Sequence, residues 1–101
     1  MTDQTLATMK QVPAADLGGP GSPDPKLCAT AAIEALSDAA GEGFRLTSLS
    51  LDVASHAIGE GMVALVTQTN KRTKAIVFTS VDARMGAAMV FSAQGLFSRA
   101  G

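Results

Sequence analysis

Residues 44–98 hold three or four apolar stretches of strand length, joined by short polar connections. Directly before them lies an alanine-rich stretch with helical spacing. The period therefore changes from 3.6 to 2 once along the chain. Asp24 has the chemistry of an N-cap and Pro25 that of a first helical residue, so a helix is expected from there to about Ala40, stopped by Gly41 and Gly43. At 100° per residue, Cys28, Ala29, Ala32, Ile33, Ala35, Leu36 and Ala39 fall on one broad apolar arc. Thr30, Glu34, Ser37 and Asp38 fall on the other, interrupted by Leu27 and Ala31. So many alanines imply a sheet packed closely on the helix.

Strands are expected at residues 46–53, 62–69, 74–83 and 88–97. In the first of these, Thr47, Leu49, Leu51 and Val53 alternate with Ser48, Ser50 and Asp52, as on a half-buried strand. Residues 55–61 read as a loop, 70–73 as a polar turn, and Arg84, Met85 and Gly86 as a tight turn. Connections this short favour antiparallel hairpins. Residues 5–12 read as a strand or a helical turn, and 16–25 as a Gly/Pro-rich loop. The GGPG within that loop has no GK[ST] after it and is not a phosphate loop. A lone helix and a sheet with one apolar face must bury each other, which predicts a single α+β domain. In it, a leading segment over 1–24 precedes a helix-and-sheet body over 25–101. The open sheet edge favours association with further copies.

Composition narrows the partners. The chain has 101 residues, 47% hydrophobic, with four Phe and no Trp or Tyr, so small and aliphatic side chains must fill the core. The net charge of −1 argues against nucleic acid, which calls for a basic excess. Cys28 is the single cysteine and has no internal disulfide partner, as in a reducing cytoplasm. The first twenty residues hold no basic segment followed by an apolar core, and no apolar run approaches the ~20 residues of a membrane helix. A cytoplasmic protein without a membrane partner is expected.

Three stretches resemble the hotdog-fold thioesterases, in particular the small acyl-CoA thioesterases of the phenylacetate-pathway type: ALSDAAG at 35–41, LTSLSLDVASHA at 46–57 and RTKAIVFTSVDARMGAAMVFSAQGLFS at 72–98. The likeness spans about residues 27–98. It implies a hotdog-like fold, one central helix wrapped by an antiparallel sheet of about four or five strands, assembled as a homodimer or homotetramer. It also implies hydrolysis of an acyl-CoA or acyl-carrier thioester, with Asp38 as the helix carboxylate that activates water. A backbone N–H near Thr30 or Ala31 would polarise the carbonyl, in a site formed between protomers. The family's His-Gly-Gly at the helix start is absent; Ala29, Thr30 and Ala31 stand in the corresponding positions. The competing reading is accordingly a non-catalytic hotdog that binds or scaffolds, and a third is a structural dimerisation domain.

The remaining candidates follow from the residues themselves. Glu34 lies one turn before Asp38 and forms with it a candidate two-carboxylate site. Ser48 and Ser50 share a strand face with Asp52 that borders the acyl site in the resemblance. Lys71, Arg72 and Lys74 gather in one turn, where they can meet the phosphates of coenzyme A. His56 is the sole histidine, with no nucleophile or second metal ligand placed beside it, and no metal site is indicated. No cofactor is expected; coenzyme A enters only as part of the thioester substrate.

Overall fold

The structure, a computed structural model, describes residues 7–100. Strand β1 (Ala7–Pro13) leads into a short 3₁₀ turn (Ala14–Leu17). The helix α1 (Pro25–Ala40) follows, and then strands β2 (Phe44–Val53), β3 (Met62–Arg72), β4 (Ile76–Met85) and β5 (Ala88–Arg99). The five strands form one antiparallel sheet in the order β1-β3-β4-β5-β2. The leading segment, ambiguous in the sequence, is a strand that pairs with β3 along its whole length.

The helix begins where its capping chemistry places it. Asp24 accepts a hydrogen bond from the Lys26 N–H at 2.9 Å, and Pro25 takes the first helical position, where a missing N–H costs nothing. Cys28, Ala32, Leu36 and Ala40 are its buried line. These meet Val77, Val81, Ala83, Phe91, Ala93 and Phe97 from the inner face of the sheet. Ile33, expected on the apolar arc, is 37% exposed, because the arc that meets the sheet is narrower than the arc of apolar residues. The helix sits close to the sheet at Gly95. A Cβ there would lie 3.0 Å from a Phe97 ring carbon and 3.2 Å from a Leu36 methyl.

The sheet departs from the sequence reading at its ends. Strand β2 starts two residues earlier than expected, β5 ends two residues later, β4 is displaced by two residues toward the C-terminus, and β3 passes through the expected turn at Asn70 to reach Arg72. A register shift between Thr69 and Lys71 absorbs the extra residue. In β2 a second shift lies between Leu46 and Ser48. It lets Leu46 and Leu49, three apart, both pack against the core, while Thr47 is exposed and donates its hydroxyl to the Leu96 carbonyl. Strict alternation therefore put Thr47 on the wrong face. Among the described residues no helix is long and apolar enough to cross a membrane.

Candidate active site

The candidate residues occupy three places. Glu34 and Asp38 stay together on the exposed face of α1, in one stripe with Leu27 and the half-buried Ala31. Ser48 and Ser50 point away from the helix. They lie on the outer face of the sheet, where Asp82, Ser92 and Asp52 form one cross-strand row and Ser80, Gln94 and Ser50 the next. These rows line a polar depression of about 260 Å³. Within one protomer the sheet separates them from the helix carboxylates. The basic residues form the third place, at the end of the sheet beneath the helix C-terminus. His56 is exposed in the loop after β2, and among the described residues no three metal-ligating side chains converge.

Helix geometry decides which backbone amides are free. Thr30 and Ala31 are the sixth and seventh residues of α1, so their N–H groups lie inside the ladder of i to i−4 bonds. The Thr30 hydroxyl is also used, donating to the Lys26 carbonyl at 3.1 Å. Neither residue therefore supplies a free amide donor. In the first turn Pro25 has no N–H, Lys26 donates to the Asp24 side chain, and Cys28 donates to the Asp24 carbonyl at 2.9 Å. The Leu27 N–H has no acceptor among the described residues, and Leu27 is 41% exposed. It is an unpaired first-turn amide, directed along the axis at the positive end of the helix dipole.

Glu34 lies seven residues beyond Leu27, about 10 Å along the axis, and Asp38 lies eleven beyond, about 16 Å. Side chains on a helix lean toward its N-terminus, which brings the Glu34 carboxylate closer still. An amide hydrogen bond, a carbonyl, an attacking water and a water-to-carboxylate bond together reach at most about 9–10 Å, and less because water attacks at an angle to the C=O bond. Glu34 is within that span of the Leu27 N–H; Asp38 is beyond it. Cys28 faces the core with no exposure, and burial raises its thiol pKa, with the Asp24 charge adding to the effect. A protonated, enclosed thiol is a packing group and not a nucleophile.

The basic turn is divided. Lys71 pairs with Phe78 on the outer side of the sheet, whereas Arg72 pairs with Val77 on the helix side. There Arg72 donates from Nη2 to the Ala39 carbonyl at 3.0 Å, in the last turn of α1. Arg99, at the end of β5, donates from Nε to the Lys74 carbonyl at 2.7 Å. Both guanidinium groups lie over the Phe44 ring, at 5.8 Å for Arg72 and 4.8 Å for Arg99. Phe44 and Arg99 had no signal in the sequence, since only strand pairing brings them to Arg72. The Leu27 amide did have one, since Asp24 and Pro25 already mark the helix start.

No family model and no curated protein matches the sequence. Solved structures do. The PaaI protein of the Escherichia coli phenylacetic acid degradation operon superposes with a TM-score of 0.72 at 15% identity, over 96% of this chain and 73% of that one. The chain has the hotdog fold. A candidate thioesterase of Lactococcus lactis gives 0.75 at 16% identity, over 98% of this hotdog chain and 82% of that chain. A Streptococcus mutans protein solved with acetyl-CoA gives 0.72 at 11%, over 96% and 82%. The five-stranded hotdog sheet and its single helix thus match the architecture expected from the sequence.

Proposed function

We propose that the protein hydrolyses an acyl-CoA thioester on the exposed face of α1. The single observation that carries this reading is a first-turn amide, the Leu27 N–H, without an acceptor among the described residues, on one helix stripe with the exposed Glu34 about 10 Å along the axis. In this reading the Leu27 N–H, helped by the helix dipole, stabilises the negative charge that develops on the carbonyl oxygen. Glu34 takes a proton from the water that attacks the carbonyl carbon, the tetrahedral intermediate collapses, and the thiolate leaves. Asp38, one turn further on, is assigned a secondary electrostatic role. Two fold neighbours, the candidate thioesterase of Lactococcus lactis and the acetyl-CoA-bound Streptococcus mutans protein, support the substrate class.

The site needs a second wall, and the open edge of the sheet supplies a way to build one. Strand β2 is an edge strand of ten residues whose inward side chains Leu46, Leu49, Leu51 and Val53 are only half-buried. Pairing of β2 with a second copy covers these residues and encloses the helix stripe at a protomer interface.

The test is hydrolysis of short, long and aryl acyl-CoA thioesters, followed by chromatographic separation of free coenzyme A and acid. Turnover on at least one of them is expected. Failure on all, with binding of coenzyme A retained, would instead make the protein a hotdog binding module, the reading that the missing His-Gly-Gly favours.

A further inference from the structure

The sheet has two edges, and they are built differently. Among the described residues β1 pairs only with β3, and β2 only with β5, so each presents a row of backbone N–H and C=O groups to an approaching strand. No residue of β1 is buried, so none of the described elements covers that edge. Pairing fixes which side chains of β1 face the helix. Thr8, Lys10 and Val12 lie opposite Thr67, Leu65 and Val63, all three buried on the inner face of the sheet. Lys10 is thus an exposed ammonium on the side that packs the core, at the centre of a seven-residue strand. The inner side chains of β2 are Leu46, Leu49, Leu51 and Val53, with no charge among them.

Register shows what Lys10 prevents. Two copies of β1 that meet antiparallel about a two-fold axis, along the full strand, pair Ala7 with Pro13 and Lys10 with Lys10. Like charges directly opposite resist pairing, here with both ammonium groups drawn against the apolar side of the sheet. A slip of one residue sets inner side chains against outer ones. A slip of two sets Lys10 against Thr8 or Val12 and shortens the paired stretch. Pairing of β1 with a β2 edge places Lys10 in the leucine row of β2. By contrast, a two-fold pairing of β2 centred on Ser50 sets Leu49 against Leu51 on the inner face and Ser48 against Asp52 on the outer, with no like charges opposed. We infer that Lys10 closes the β1 edge to strand addition and so limits how far copies of this chain assemble. The inference does not depend on the thioester chemistry or on the β2 pairing. If β2 joins two copies, the pair still carries two β1 edges, and unguarded β1 strands would link such pairs into an open-ended sheet.

The test is static light scattering on the full chain as wild type, Lys10→Val, Lys10→Glu and Lys71→Val at equal concentration. Lys10→Val leaves an uncharged, β-branched inner row and is expected to raise the particle mass at least about twofold over wild type. Lys10→Glu keeps a charge opposite its own copy and is expected to match wild type. So is Lys71→Val, which adds the same apolar surface on the outer face of β3. Lys10→Thr, neutral and milder, is expected to grow as Lys10→Val does and covers the case in which Lys10→Val fails to fold. Amide exchange separates strand pairing from unspecific aggregation. In the larger particle the amides of β1 that are not bonded to β3 should exchange about tenfold or more slowly than in wild type. Unchanged mass in both Lys10→Val and Lys10→Thr would overturn the inference. Equal growth of Lys10→Glu or Lys71→Val, or growth without slower exchange in β1, would do the same. A single-chain wild type whose mass doubles in Lys10→Val would retire the β2 pairing and leave this inference standing.

Discussion

Cys28 and Thr79 show how much chemistry single core positions carry. The Cys28 thiol ionises in the unfolded chain near its ordinary value of 9.0, and in the folded protein only at higher pH. Folding stability is therefore untouched by this group below that value, and falls as pH rises through the interval between the unfolded and folded pKa. Urea midpoints of the wild type are expected to drop between neutral pH and pH above 9.0 by more than those of Cys28→Ala; equal drops would contradict the assignment. Thr79, 1% exposed on the inner face of β4, holds a hydroxyl without a partner among the described residues. Thr79→Val keeps the shape and removes the unpaired group, so it should stabilise the fold by about 1 kcal/mol, measured by chemical denaturation.

At the scale of elements, α1 was legible because its signals are local. Asp24, Pro25 and the run to Ala40 fix both ends, and the observed helix has those ends. Asp24→Ala is expected to cost about 1 kcal/mol by removing the acceptor for the Lys26 N–H, whereas Asp24→Asn retains most of the cap; thermal melts distinguish them. The four strands after the helix were legible in position along the chain, but the leading strand and the order of strands in the sheet were not. The shift between Leu46 and Ser48 depends on how β2 meets β5 across the sheet, which no local pattern encodes. The side of Ser48 and Ser50 was legible, since their alternation with Leu49 and Leu51 puts them on the polar face of the strand, away from the helix. The amides of Thr30 and Ala31 were chosen by position in the family motif. The helix starts four or more residues before them and uses those donors internally.

For the whole molecule, the charge distribution and the open β2 edge define what the fold presents to its surroundings. A proposed two-fold pairing through β2 predicts a particle of two or four chains by light scattering; a single-chain particle at every concentration would contradict it. The hotdog architecture could be anticipated from one change of hydrophobic period, because one helix and one antiparallel sheet leave few ways to bury both apolar surfaces. The functional arrangement could not, because Leu27 with Glu34, and Arg72 with Arg99, meet only through helix geometry and strand pairing.

The central claim is that Glu34, rather than Asp38, activates water for attack on a thioester held at the Leu27 amide. Its most direct measurement is kcat on the best acyl-CoA substrate for Glu34→Gln beside Asp38→Asn. Loss of a positioned general base should lower kcat by roughly 10²–10⁴-fold in Glu34→Gln, with Asp38→Asn within about tenfold of wild type. The reverse order, collapse in Asp38→Asn with Glu34→Gln nearly unaffected, would contradict the account.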